Sequence, residues 1–340
     1  MRQILVRRGL QSLLVALGVG FLAFVITRLL PGDAAASWAG PRATAAELAR
    51  VRTALGLDRS LPEQAIRYIG DLVTGNWGIS IHTRQPVLSD VSGRFMTSLE
   101  LVTVALLIAA IIGIPLGVLA ARWKGRPPDW IAGITSSVLA SVPVFWLGLL
   151  LQLAIATQLK WLPVAGRWDG ALNEVAVAAT RTHMVLVDSL LAGNGTLFVS
   201  GLSHLIMPAL VIAAYPIALF ARLTRAGLLE TMGEEHVRMA RAIGYTERTI
   251  IFRFALRPSL GPVLSALALV FGFALGNTFL VENLFNFQGL GSYAVDSISS
   301  LDAPAIAGTT IFVALAYLAA NLVVDLARPV MDPRLREAGR

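Results

Sequence analysis

The sequence predicts an all-α polytopic membrane protein with six membrane-spanning helices. Three observations carry that prediction. Of 340 residues, 56% are hydrophobic and only 14% charged, where a soluble domain carries roughly 25%. Mean hydropathy is +0.69. The apolar residues fall in long blocks that must meet lipid rather than a single core. The absence of cysteine excludes a disulfide framework, a thiolate metal site and a cysteine nucleophile.

A hydrocarbon layer of about 30 Å needs about 20 helical residues at 1.5 Å each. Runs of that length lie at about Gly9 to Leu30, Leu99 to Ala121, Trp130 to Gln158, Leu202 to Ala221, Ser259 to Val281 and Pro304 to Leu326. The first invites reading as a cleavable signal peptide, since Met1 to Arg8 is basic and Ala34-Ala35-Ala36 resembles a cleavage site. Its apolar run exceeds the 7 to 15 or so residues of such a segment, so an uncleaved anchor is expected. Between the first two spans, Thr44-Ala45-Ala46-Glu47 predicts a helix start followed by Leu48, Val51, Leu55 and Leu57 near helical spacing, and Pro62 to Val73 a second short helix. Lys160 to Gly201 reads as loop plus a small helix. The division expected is an N-terminal helix over 1–30, an extracytoplasmic segment over 31–96, a five-helix core over 97–327 and a cytoplasmic tail over 328–340.

With a cytoplasmic N-terminus, six crossings return the C-terminus to the same side. The inner segments then hold 17 of the 28 Lys and Arg, and the outer ones 11 against 13 Asp and Glu, which places +9 inside and −2 outside. This is the positive-inside pattern. The basic excess is therefore a topology signal, and nucleic acid is not expected as a partner.

Seven of the inner basic residues fall in one loop, 222–258. Glu234 to Ile243 reads as a short helix in which Val237 and Ala240 share a face with Gly244, placed for a left-handed cap, while Arg238 and Arg241 lie elsewhere. Thr246 or Glu247 starts a second helix that Pro258 closes. Ala240, Ala242 and Gly244 are small enough for a partner's backbone to approach. On composition alone, an amphipathic helix lying on anionic headgroups fits equally well.

The order of residues weighs further. HVRMARAIG, His236 to Gly244, with a second helix and Pro258 behind it, resembles the EAA loop of the membrane-spanning subunits of bacterial ABC importers. Nearly the whole chain is similar to permease subunits of the peptide/nickel class. PGD (Pro31 to Asp33), GLD (Gly56 to Asp58), GNWGIS (Gly75 to Ser80), TSLEL (Thr97 to Leu101), GIPLG (Gly113 to Gly117) and SVPVFW (Ser141 to Trp146) stand in the family's order. LP (Leu162, Pro163), HLIMPAL (His204 to Leu210), ENLFNFQGLG (Glu282 to Gly291), LDAP (Leu301 to Pro304), NLVVD (Asn321 to Asp325) and DPR (Asp332 to Arg334) continue it. The departures are His236 for the usual tyrosine, Ile243 for a lysine, Gln288 for a proline and Arg238 for the signature glutamate. They bear on particular side-chain contacts with the ATPase and leave the loop's role standing.

The resemblance implies a type I ABC importer permease fold, with Glu235, His236, Val237, Arg238, Ala240, Arg241, Ala242 and Gly244 as the ATPase-coupling loop. It implies a second homologous permease, two ATP-binding subunits or domains and an extracytoplasmic solute-binding protein. ATP and Mg2+ are expected in the ATPase partners and no cofactor in this chain, which is not expected to be an enzyme: no GxxxxGK[ST] loop, GxSxG elbow or HExxH helix occurs. The four histidines, His82, His183, His204 and His236, never fall at ligand spacing. Candidates for the translocation path are Ser137, Ser141, Asn277, Thr278 and Glu282, since polar groups within spans are costly. The bland alternative is that the hydroxyls bond their own helix carbonyls and Glu282 sits at the interface. Gly113 with Gly117, and Gly272 with Gly276, are spaced for close helix packing. A stand-alone secondary transporter or channel is the competing class, and a membrane scaffold the third. Dipeptides, longer peptides, nickel chelates, opines and glycosides all remain open as substrates, with peptides foremost.

Overall fold

The computed structural model describes residues 2–29, 34–40, 42–54 and 56–331. The PGD motif at Pro31 to Asp33, the DPR motif at Asp332 to Arg334 and most of the expected tail lie outside them, as does Leu55. Among the described residues the chain is helical, and the one β contact is an isolated bridge between Ile79 and Pro86. It divides into two compact units, residues 1–96 with 289–318, and residues 97–288 with 319–340.

The first unit opens with α1 (Arg2–Leu29), α2 (Ala34–Ala39), α3 (Ala45–Ala54) and α4 (Leu61–Val73). The helix start expected at Thr44 is a capping box: Thr44 N–H donates to Glu47 Oε2 (2.7 Å), and Glu47 N–H donates to Thr44 Oγ1 (3.3 Å). That backbone donor holds the Glu47 carboxyl below its usual range. The unit also contains the start of α5 (Val87–Arg122), and its later elements are α15 (Leu290–Ser299) and the first part of α16 (Ala303–Met331). Asp302 ties two of the sequence motifs together. Its Oδ2 accepts from Ser80 Oγ (2.6 Å) and His82 N (2.9 Å), while Oδ1 caps α16 through Ala305 N (3.1 Å). Val87, Val91, Leu290, Tyr293 and Ala305 form the apolar centre beside this knot.

The second unit continues α5 into α6 (Pro127–Ser141), α7 (Val144–Leu151) and a π-helical turn over Gln152–Gln158. The loop that follows carries α8 (Asn173–Ala179) and α9 (Val185–Leu191), one helix more than expected. Then come α10 (Gly195–Thr231), α11 (Glu235–Ala242), α12 (Glu247–Thr249), a π turn over Ile250–Ala255, α13 (Leu256–Ser259) and α14 (Gly261–Leu284). The central element is α10, with 67% of its most apolar window buried. Gly113 and Gly117 let α5 reach it: a Cβ at Gly113 would lie 2.7 Å from Ile217 O, and one at Gly117 would lie 2.5 Å from Ala221 O. A Cβ at Gly276 meets nothing within 4 Å, so that position serves no close approach inside the chain. Arg225 on α10 grips Asp129 near the start of α6 through two bonds of 2.6 and 2.8 Å.

Among the described residues, four helices are long and apolar enough to cross a membrane, or five if the bent pair α6 and α7 counts as one. At 36 and 37 residues, α5 and α10 run to about 54 and 55 Å and overshoot a bilayer core of about 30 Å. The span expected from Trp130 to Gln158 is bent by 105° between Ser141 and Val144. Pro143 forces it: Val142, just before the ring, is held extended at φ −72, ψ 126. The second loop segment runs helical from Glu247 through the π turn to Ser259, one residue past Pro258, and the break before α14 comes at Leu260.

Candidate functional site

The loop 222–258 is a two-faced element. On one face of α11, Val237 and Ala240 are buried in a cluster with Val118 and Ala121 of α5, Leu228 of α10, and Ile250, Ile251 and Ala255. On the opposite face Met239 and Ile243 are 67% and 69% exposed, with Ala242 open between them. Positions 239, 242 and 243 follow the i, i+3, i+4 rule, which puts all three on one stripe. The reading of Ala240 as a point of partner approach is therefore corrected: Ala240 is turned inward, where its small side chain lets α11 lie close on the cluster.

The end of α11 is set by backbone geometry. Gly244 has φ +96, its N–H donates to Arg241 O (3.1 Å) and Tyr245 N–H donates to Ala240 O (3.2 Å). This is the Schellman pair of bonds, for which glycine is the residue without a steric penalty. Because the helix stops at Ala242, Gly244 leaves the face of Val237 and Ala240 and lies in open space. Arg241 then spans the turn, Nε donating to Glu247 Oε1 (2.7 Å) and Nη2 to Glu247 Oε2 (3.2 Å). That bond holds the Glu247 carboxyl below, and raises the Arg241 guanidinium above, their usual ranges. Thr246 caps α12 by accepting from Thr249 N. His236 stands between Glu234 Oε2 (3.1 Å from Nδ1) and Phe254 O (3.3 Å from Nε2). Glu235 and Arg238 are exposed. Met239, Ile243 and Tyr245, whose ring leans on Phe254 at 5.1 Å, join the loop's surface without being among its sequence candidates. Their signal was the apolar pair at 239 and 243 on the side away from Val237.

The five pathway candidates fall into two groups. Ser137 and Ser141 are exposed on α6, Ser141 at the bend. On α14, Thr278 Oγ1 donates to Leu275 O (2.7 Å), as the bland alternative has it, and Asn277 Nδ2 likewise bonds its own helix at Phe273 O (2.8 Å). Glu282 is fully buried within the chain and accepts from Ser98 Oγ.

Glu282 belongs to a buried polar knot that residue-by-residue inspection did not single out. Glu100 accepts from Val185 N (2.9 Å) and Leu186 N (2.7 Å) at the start of α9. Arg167 stands 3.8 Å from Glu100 Oε2 and donates to His183 O (2.8 Å). The Arg167 guanidinium lies over the rings of Trp168 and Phe287; burial pulls its pKa down, opposed by the charges of Glu100, Asp188 and Glu282. Asp188 accepts from Thr182 N and Oγ1, both at 2.8 Å. The knot pins the loop between α7 and α10 to α5 at Glu100, with Glu282 near the end of α14 beside it.

Residues 113–337 match the family model described as binding-protein-dependent transport system inner membrane component, and residues 1–102 match the N-terminal model of the same system's membrane component. The probable D,D-dipeptide transport system permease protein of Escherichia coli is 40% identical over 96% of this chain and 95% of its own length. The di/tripeptide transport system permease protein of Pseudomonas aeruginosa is 36% identical over 94% of each chain. The glutathione transport system permease protein of Escherichia coli is 33% identical, again over 94% of each.

Proposed function

The chain belongs to the family of binding-protein-dependent transport system inner membrane components, as a permease subunit of an ABC importer of the peptide class, and on that premise we propose how it works. It crosses the membrane six times with both termini in the cytoplasm, the bent pair α6 and α7 forming one crossing. Residues 31–96 follow on the outer side, and 97–327 form the transmembrane core. With a second homologous permease it encloses the path for peptides, delivered by an extracytoplasmic solute-binding protein. Separate subunits bind ATP and Mg2+ and hydrolyse the nucleotide.

One observation carries the coupling assignment: α11 is clamped on its inner face to α5, α10 and the π turn, while its outer stripe of Met239, Ala242 and Ile243 stands open. A partner that seats this stripe moves a packed unit rather than a slack loop, so ATPase closure reaches the spans. Gly244 shapes the turn, since an ordinary residue at φ +96 costs about 1–2 kcal/mol.

Ala242→Trp is the cleaner probe. It adds bulk to the open stripe without disturbing the helix cap or the buried cluster. The variant should reach the membrane in normal amounts, lose uptake, and leave ATP hydrolysis by the assembled transporter unresponsive to loaded binding protein. Uptake at the parental rate would remove α11 from the coupling role.

A further inference from the structure

We infer that α4 lies within the outer leaflet of the membrane, its open apolar stripe seated against lipid acyl chains, rather than in the aqueous space outside. At 100° per residue, the apolar side chains of α4 cover about 160° of its circumference and Gly70 extends that face to about 200°, whereas Glu63, Arg67 and Asp71 are confined to about 80°. Only half of the apolar arc is packed. Tyr68 and Leu72 pack against a cluster formed by Ala23 of α1 with Ala307 and Ile311 of α16, and Ile69 reaches Gly20. The other half, Ile66, Gly70 and Val73, is open, with Ile66 and Val73 74% and 81% exposed. Water is a poor neighbour for such a stripe.

The depth of α4 follows from what it touches. Arg28, its guanidinium 5.2 Å from the Phe24 ring centroid, marks the outer end of α1. Tyr68 meets Phe24 at 5.7 Å between ring centroids, four residues further in. Gly20, where a Cβ would stand 3.4 Å from Ile69 Cδ1 and 3.6 Å from Leu72 Cδ1, is eight residues in. At 1.5 Å per residue these levels are about 6 and 12 Å below Arg28. A second span agrees: Trp77, whose Nε1 donates to Leu72 O (3.2 Å), packs on Phe312, about 13 Å from the start of α16. The open stripe is thus level with the exposed face of α1, Phe21, Leu22 and Ile26, and continues the surface that α1 offers to lipid. The ion pair of Arg67 with Asp71 (3.8 Å) lies on the polar arc, where it is free to turn toward headgroups.

The inference rests on α1 crossing the membrane, and the test separates the two. Since the chain has no cysteine, single spin labels can be placed by Ile66→Cys, Val73→Cys, Glu63→Cys and Phe21→Cys in the assembled transporter, held in phosphatidylethanolamine and phosphatidylglycerol nanodiscs. All four side chains are exposed, so little packing is lost. Oxygen, which partitions into lipid, should relax the labels at 66, 73 and 21 several-fold more than chromium oxalate does, with the ratio inverted at 63. Chromium oxalate dominating at 66 and 73 but not at 21 overturns the placement of α4 alone. Its dominating at 21 as well overturns the crossing of α1 and the inference with it. Exclusion of both reagents at 66 and 73 shows a protein partner on the stripe, which also overturns the inference.

Discussion

Replacing Gly117 with alanine tests the close approach of α5 to α10. The added methyl would lie 2.5 Å from Ala221 O, 2.7 Å from Thr224 Cβ and 3.1 Å from Arg225 N. Ordinary contact begins near 3.4 Å; two of the three obstacles are backbone atoms, which cannot rotate away. The helices must part by most of an ångström beside Ala221 and Thr224, both of which are buried. Overpacking of this kind costs about 1–3 kcal/mol, and fixed backbone obstacles favour the upper end. The helix-forming advantage of alanine over glycine returns about 1 kcal/mol, leaving a net loss of about 2 kcal/mol. Gly133→Ala is the matched control, since a Cβ there meets nothing within 4 Å and keeps only the propensity gain. In the purified transporter in mild detergent, Gly117→Ala should lower the thermal midpoint by a few degrees, while Gly133→Ala holds or raises it. If the two variants unfold together, at or above the parental midpoint, the glycine is not what admits α5 to α10.

Two further outcomes follow from the polar contacts. Glu100→Ala strips the acceptor from Val185 N and Leu186 N and leaves Arg167 without its nearest carboxylate; breaking a buried pair in this way costs about 3–5 kcal/mol. Limited trypsin digestion should then cut at the exposed Arg181 many times faster than in the parent, and an unchanged rate would deny Glu100 its anchoring role. The second outcome concerns the turn after α11. Because the folded pKa of Glu247 is lowered by Arg241, its stabilisation is fully present above the ordinary carboxylate value of about 4.3 and is lost as pH falls through the lowered folded value. Amides of Gly244 to Thr246, corrected for intrinsic exchange, should lose protection below about pH 4. The loss is small because the pair is exposed and screened. A pH dependence that survives Arg241→Gln would assign it elsewhere.

Much of this protein is legible one residue at a time. The apolar runs lie within the long helices and the bent pair, and the small-residue spacing of Gly113 with Gly117 translates directly into helix approach. The capping pairs at Thr44 and Thr246, and the glycine that ends α11, are local bonds made within a few residues, so the sequence states them nearly in full. The family could be read for a related reason: motif order survives along the chain whatever the packing.

Which side of each helix faces inward was less open to inspection. Val237, Ala240 and Gly244 share a face only if the helix continues, and the Schellman turn ends it first, so Ala240 became support and Met239 and Ile243 became surface. The knot of Glu100, Arg167, Asp188 and Glu282 joins residues up to 182 positions apart in the chain, and no local pattern announces it. The bend at Pro143 was written in the residue before a proline, yet its 105° was not. By itself the sequence determined the all-helical membrane class, the family, and the position of the basic loop between α10 and α14, because each depends on composition, order or short-range bonds. The tertiary structure alone decided which face of that loop is free, what holds the long loop before α10 in place, and which side chains of α1 and α16 meet α4. Each of those depends on which distant side chains satisfy one another's polarity and fill one another's space.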